Sequence, residues 1–432
     1  MFEPKELDVR RLGRPDRPSP LLDRQERFID DDERVLLHSD ARLLDTPQGR
    51  LSFERAGPRK KILFDPAEIA CGIVTCGGLC PGLNDVIRSL VMSLRFGYGV
   101  NRILGFRFGY AGLGAAPPVP PLELTPELTE RIHEHGGTIL GSSRGPQDVG
   151  EMVSTLVENN IRILFCIGGD GTLRGASVIA QEVLDRDLKI SVVGIPKTID
   201  NDILWIERSF GFSTAVEYAR RSIQAAHAEA KGAWNGVGLV KLMGRHSGFI
   251  AAETCLATND ANFCLVPEVP FTLEGQGGFL HHLEQRLLAK RHAVVVVAEG
   301  VGQDLLDGAG EDRDASGNVK LLDVGHFLRE RILAHLADKK IAGSVRYIDP
   351  SYLIRSLPAN ALDSEFCLLL GQHAVHAAMS GRTDMIVGFW NQRFTNVPID
   401  CVTRQRNQIH PLGSIWPRVL EAIGQPASMV GS

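Results

Sequence analysis

The sequence lacks several features that assign a class directly. No apolar run approaches the roughly 18 residues of a helical membrane span, and the opening Met1-Phe2-Glu3-Pro4-Lys5-Glu6 carries no apolar signal core. No membrane partner is therefore expected, and the expected compartment is the cytoplasm. Basic residues are outnumbered: 47 Lys and Arg against 52 Asp and Glu give a net charge of -5. That leaves no broad basic footprint for nucleic acid and confines any anion site to a local cluster. The eight cysteines include no CxxC pair, and the close group Cys71, Cys76 and Cys80 has the spacing of neither a zinc site nor a disulfide frame. His281-His282 and His373 with His376 fall on predicted helices without Cys or acidic partners at ligand spacing, so metal held by histidine is not expected. No tandem repeat of about 20 to 50 residues is visible.

What is present points to a globular chain of more than one lobe. At 432 residues, 44% hydrophobic and 23% charged, it can bury two or three cores, and its 45 glycines imply many tight turns. Residues 1–65 are rich in Arg, Asp and Pro (Arg10-Arg11, Arg14-Pro15, Asp30-Asp31-Asp32) with weak apolar periodicity. They read as an N-terminal extension whose acidic triplet is a solvated patch. From Ala70 onward, short β-branched runs end in glycine-rich turns and lead into helical periodicity, as in α/β folds. Strands are predicted at 72–75, 162–167, 190–195, 237–242, 263–266, 293–298, 341–345 and 385–389, several apolar on both faces as in a buried parallel sheet. Helices are predicted after the first glycine turn (Ile87, Leu90, Val91, Leu94) and at 173–184, 213–230 and 277–290. Ser213, in Gly211-Phe212-Ser213-Thr214-Ala215, reads as a helix N-cap and not as a nucleophile. Residues 304–320, with Asp307-Gly308, Gly310-Glu311-Asp312 and Ser316-Gly317-Asn318, read as a polar surface loop.

The order strand, glycine turn, helix places the turns at the carboxyl ends of strands, where open α/β sheets bind ligands. In Cys76-Gly77-Gly78-Leu79-Cys80-Pro81-Gly82-Leu83-Asn84 the missing Cβ atoms let backbone N–H groups approach a phosphate at a helix N-terminus. Gly168-Gly169-Asp170-Gly171-Thr172 suits a polyphosphate chain, with Asp170 reaching Mg2+ directly or through water. Gly-Gly-Asp-Gly also occurs in NAD kinases and diacylglycerol kinases, so alone it indicates a phosphate donor and no single acceptor. Pro196-Lys197-Thr198-Ile199-Asp200-Asn201-Asp202 gathers charge at a strand end at a cost a mere turn does not explain. There Asp200 can take the proton of an attacking alcohol, Lys197 can offset charge on the transferring phosphoryl group, and Asp202 can organise the metal or the base. Arg245, in Lys241-Leu242-Met243-Gly244-Arg245, can grip a phosphate bidentately, with Ser247-Gly248 as a helix start beyond it. Glu299 ends an apolar run where it can accept bonds from sugar hydroxyls. Arg346, Tyr352 and Arg355 can hold a terminal phosphate.

Together, in this order, these segments resemble the phosphofructokinase family over about two thirds of the chain, from Gly77 to Arg355. The resemblance implies an α/β fold of two doubly wound Rossmann-like lobes with the active-site cleft between them. It implies an ATP lobe at 66–212, completed by part of 357–390, a sugar-phosphate lobe at 213–356, and a C-terminal segment, 391–432, packing on the lobes. Gly78, Arg144, Gly145, Gly169, Asp170, Gly171 and Thr172 match the ATP side, with Asp170 at the magnesium. Thr198, Ile199, Asp200, Met243, Gly244, Arg245, Glu299, Arg346, Tyr352, Leu353, Ile354 and Arg355 match the fructose 6-phosphate side. Asp200, Lys197 and Arg245 are the implied catalytic residues, and a homo-oligomer, dimer or tetramer, is the implied assembly. Pro-Lys-Thr-Ile-Asp-Asn-Asp and Tyr-Leu-Ile-Arg resemble the branch that joins pyrophosphate enzymes to plant and trypanosomal ATP enzymes. Pyrophosphate users typically carry a second Asp where this chain has Gly171. A carboxylate there would repel the ATP α-phosphate, by about 1 kcal/mol at about 4 Å even in water. Gly171, with Lys197, thus favours ATP over a pyrophosphate-dependent enzyme. A catalytically silent regulatory paralogue would be expected to lose Asp170, Asp200 or Arg245, and all three are present. Gly236 stands where bacterial members place an arginine that reaches a neighbouring subunit, and Arg346 has the spacing of the family's other bridging cation.

Overall fold

The computed structural model describes residues 3–24, 27–43, 45–306, 308, 312–313 and 319–431. The predicted turn residues Asp307, Gly310-Glu311 and Ser316-Gly317-Asn318 lie outside these. The chain divides into two units, one of Met1–Ile199, Ile203–Gly211 and Ser356–Arg406, the other of Asp200–Asp202, Phe212–Arg355 and Asn407–Ser432.

The first unit is organised on a nine-stranded sheet. Its centre is parallel, in the order Met385–Trp390, Ser191–Pro196, Ile161–Gly168, Ala70–Thr75, Arg102–Phe106. Side chains alternate across these strands and divide into two cores, as period-two geometry demands. Ile73, Ile163, Phe165, Ile167, Val193 and Ile195 face one core with helices Leu83–Met92 and Ala361–Met379. Val74, Leu164, Cys166 and Val192 face the other with helices Val149–Glu158 and Asp170–Asp185. Helices on both faces bury the strands from both sides, which is why the sequence reads as continuous apolar runs there. The chain enters the parallel centre at Ala70–Thr75, moves outward to Arg102–Phe106, then returns to Ile161–Gly168 on the other side. The order therefore reverses between Ala70–Thr75 and Ile161–Gly168, and their carboxyl ends are the two glycine turns.

Residues before Ala70 are not an appendage. Ser52–Arg55 pairs antiparallel with Arg393–Pro398 and carries Arg34–Leu36 outside it, while Arg10–Arg11 pairs with Arg382–Thr383. Weak periodicity concealed this because the segment is held by ions as well as by apolar burial. Glu54, 3% exposed, accepts bonds from Arg59 (3.1 Å), Asn396 (2.6 Å) and Arg382. Asp31, read as solvated, instead pairs with Arg11 (2.6 Å), Arg382 (2.8 Å) and Arg59 (3.1 Å).

The second unit holds a parallel four-stranded sheet in the order Phe263–Leu265, His292–Ala298, Gly236–Leu242, Ser344–Ile348. A Cβ at Gly238 would lie 2.6 Å from the Ala226 carbonyl, so glycine lets helix Phe212–Gly232 press against the central strand. That helix starts at Phe212, so Ser213 sits in its first turn and not at the cap. The strand predicted at 341–345 lies three residues later, at Ser344–Ile348. All eight cysteines are buried thiols, and no helix among the described residues is long and apolar enough to cross a membrane.

Candidate active site

On the first unit the two glycine turns lie side by side at the switch point. Gly77 and Gly82 adopt φ of +84° and +99°, a region closed to most side chains. A Cβ at Gly82 would also stand 2.7 Å from Cys367 Sγ. The loop 141–145 is strapped to this turn: Ser142 Oγ donates to Gly77 O (2.6 Å), Gly77 N to Ser143 O (3.3 Å), and Thr75 Oγ1 to Gly141 O (2.7 Å). The strapping brings Arg144 to the turn, its Nη2 3.6 Å from where a Gly78 Cβ would be; Gly145 follows with φ of +106°. Lys197 Nζ lies equally close to the Cβ position of Gly77. Two cations thus flank one backbone cradle.

The second turn leads into helix Asp170–Asp185 with Gly169 at its N-cap, so Asp170 and Gly171 open the first turn, where backbone N–H groups point outward. Gly168 is required sterically, since its Cβ would meet Thr172 Oγ1 at 2.2 Å, whereas a Cβ at Gly171 would meet nothing within 4 Å. The Thr172 carbonyl accepts from the hydroxyl of half-buried Tyr110 (2.6 Å), fixing the turn from below. Asp170 pairs with Arg406 at 3.0 Å, a partner from a distant segment that carried no sequence signal. Lys197 N donates to Gly168 O (2.9 Å), which ties the third motif to the second, and Ser209 Oγ donates to Thr198 O (2.5 Å). Thr198 and Ile199 are half-buried. Cys76, between the turns, is an inert thiol whose pKa burial pushes up to about 12.

The second unit gathers its predicted residues at the carboxyl edge of its own sheet. Asp200 belongs here, its carbonyl accepting from Ser247 Oγ at 3.4 Å, while Asp202 O accepts from Asn407 N at 2.8 Å. Asn201 between them takes φ of +55°. Met243, Gly244 and Arg245 leave strand Gly236–Leu242, and Glu299 leaves His292–Ala298 beside it, with Gly300 N donating to Gly244 O (3.1 Å). A Cβ at Gly300 would fall 1.9 Å from Arg245 O, so glycine is what permits the two strand ends to close together. Burial raises the Glu299 pKa, with the charges of Arg245 and Lys241 opposing it. Arg245 Nη1 donates to the Val319 carbonyl at 2.8 Å. Lys241 bonds Asp349 at 3.0 Å and Asp323 at 3.2 Å, anchoring the turn before helix Ser351–Arg355. On that helix Tyr352 and Leu353 are exposed, Arg355 stacks over the Tyr352 ring at 4.2 Å, and Ile354 is wholly buried. Ile354 therefore offers only backbone to a ligand. Arg346 stands apart on the outer strand, 58% exposed and 3.9 Å from Glu229.

Comparisons with known proteins bear on the family and the fold. A family profile described as Phosphofructokinase matches residues 70–378. The chain is 53% identical over 410 residues to the ATP-dependent 6-phosphofructokinase of Amycolatopsis methanolica, covering 93% of this chain and 89% of the relative. It is 46% identical over 427 residues to the enzyme of the same name from Trypanosoma brucei brucei, covering 96% and 87%. Against Arabidopsis thaliana ATP-dependent 6-phosphofructokinase 7 the identity is 47%, covering 96% and 86%. Among solved structures, a pyrophosphate-dependent phosphofructokinase from Marinobacter aquaeolei superposes with a TM-score of 0.68 at 19% identity, covering 82% of this chain and 91% of that one. At that identity the likeness bears on the fold.

Proposed function

The chain belongs to the phosphofructokinase family, and from that premise we infer that it is an ATP-dependent 6-phosphofructokinase, phosphorylating the 1-hydroxyl of fructose 6-phosphate in glycolysis in the cytoplasm. The donor reading rests on the open space at Gly171, where a Cβ would meet nothing within 4 Å. A nucleotide can pass there without meeting a carboxylate, in keeping with the ATP-dependent names of the relatives.

In this reading the 1-oxygen forms its bond to the γ-phosphorus as the bond to the β–γ bridging oxygen breaks, and Asp200 receives the hydroxyl proton. Lys197, Arg144 and Arg245 offset the developing charge. Gly78, Gly145, Gly169, Asp170, Gly171 and Thr172 seat the donor, and the helix N-terminus at Asp170 favours its negative charge. Asp170, paired here with Arg406, is the one carboxylate at this turn that would hold magnesium, which takes one or two carboxylates and completes its shell with water and phosphate oxygens. Bound there, the ion would neutralise charge on the phosphate chain. Thr198, Ile199, Met243, Gly244, Glu299, Tyr352, Leu353 and Arg355 would hold the sugar phosphate, with Ile354 contributing backbone. Exposed Arg346 suits a role across a subunit contact in a homo-oligomer. Initial rates with ATP and pyrophosphate, each crossed with fructose 6-phosphate and sedoheptulose 7-phosphate, test the reading. Faster turnover with pyrophosphate than with ATP would overturn the donor assignment.

A further inference from the structure

Apart from the phosphoryl-transfer residues, the first unit contains a cavity of about 580 Å³, inside the range of about 300–1,000 Å³ typical of small-molecule sites. Its floor is the ion network that docks the N-terminal segment. Arg59 and Arg382, 5% and 1% exposed, are held there in fixed geometry by Glu54 and Asp31. Around its mouth stand Arg14, Lys60 and Lys61, all exposed, and among the described residues no ion pair engages them. With Arg11 the lining holds six cations against Asp30 and Asp31, and Glu54 lies beneath, an excess of three positive charges in one concavity. The chain as a whole has a net charge of -5, so this concentration is not a sample of the general surface. Burial, and after it the neighbouring charge of Arg382, lowers the Arg59 pKa even though Glu54 and Asp31 oppose it. The apolar part of the lining is only Pro15 and Ile29, with no aromatic ring for a base to stack on. Recognition would therefore rest on charge and guanidinium geometry, which suit phosphate groups.

We propose that this cavity binds a small, multiply phosphorylated anion, gripped by Arg14, Lys60 and Lys61 over the fixed guanidinium groups of Arg59 and Arg382. The fixed floor lowers the ordering cost of binding, and the three exposed cations supply attraction that salt weakens.

Hydrogen exchange on the full chain, with sodium tripolyphosphate as probe, tests this by location. Protection of residues 10–18 and 57–64 is expected, saturating with ligand and weakening with salt. In the variant Arg14→Ala/Lys60→Ala/Lys61→Ala that protection should need about tenfold more ligand or higher, while protection at 168–172 and turnover of ATP with fructose 6-phosphate stay as in the wild type. If the triple variant does not fold, Lys61→Glu alone serves for the same comparison. Protection confined to 76–82 and 168–172 would overturn the proposal and leave the kinase reading standing. So would equal protection of 57–64 in wild type and variant, or protection of that region by anionic phospholipid vesicles or an oligonucleotide but not by tripolyphosphate.

Discussion

Gly171→Asp is the substitution that best separates donor choice from folding. A Cβ at this position meets nothing within 4 Å, so the new side chain has room. The position is in the first turn of helix Asp170–Asp185, where a carboxylate interacts favourably with the helix dipole and replacing glycine restricts the unfolded chain. Thermal stability should therefore hold or rise. Electrostatics toward ATP run the other way. A unit charge about 4 Å from a phosphate oxygen costs about 1 kcal/mol in water and about 4 kcal/mol at an effective dielectric near 20. At about 1.4 kcal/mol per decade, kcat/KM for ATP should fall between about fivefold and about a thousandfold. Steady-state kinetics with ATP and pyrophosphate, alongside a thermal melt, read both effects, and the ratio of ATP to pyrophosphate activity should drop. A stable variant that keeps its ATP kcat/KM within about twofold would refute the argument that this glycine admits the nucleotide.

The buried network makes two further predictions. Glu54→Ala leaves Arg59 and Arg382 buried without their shared carboxylate and should destabilise the first unit by about 3–5 kcal/mol in denaturant titration; a loss below about 1 kcal/mol would mean the cations find other partners. Asp31 is subject to burial, which alone would raise its pKa, but bonds and charge from Arg382 and Arg11 outweigh that and hold it at about 2. Its folded value lies below its unfolded one, so its contribution is present above about pH 4 and is lost as pH falls toward about 2. Because the side chain is half exposed, solvent screening limits that contribution to about 1 kcal/mol. Asp31→Asn should flatten the acid limb of a stability–pH curve, and an unchanged limb would assign acid lability to other groups.

The parallel core was legible because strands buried on both faces, such as Ile161–Gly168, are written as unbroken apolar runs that end in glycine. The outermost parallel strand and the antiparallel strands were not. Arg102–Phe106 carries little beyond five residues of pattern, and Ser52–Arg55 is held by Glu54 and its arginines, an arrangement that charge-rich sequence conceals. Within the site, the turn residues were readable because glycine is demanded by φ at Gly77 and by contact at Gly168. The pairings that fix them were not: Arg406 with Asp170, and Lys241 with Asp349, join segments that only the fold brings together. Ile354 shows the limit of reading by motif, since its neighbours Tyr352 and Leu353 face outward while it packs inside.

In the proposed reaction the γ-phosphoryl group of ATP moves to fructose 6-phosphate and Asp200 accepts the proton. Turnover of the purified wild type and of Asp200→Asn, together with fructose 6-phosphate affinity measured by equilibrium binding, tests it most directly. The account predicts robust ATP-dependent activity in the wild type and a fall in kcat of about 10²–10⁴-fold in the variant, with affinity for the sugar phosphate little changed. A variant with near-normal kcat, or a wild type without ATP-dependent activity, would contradict it.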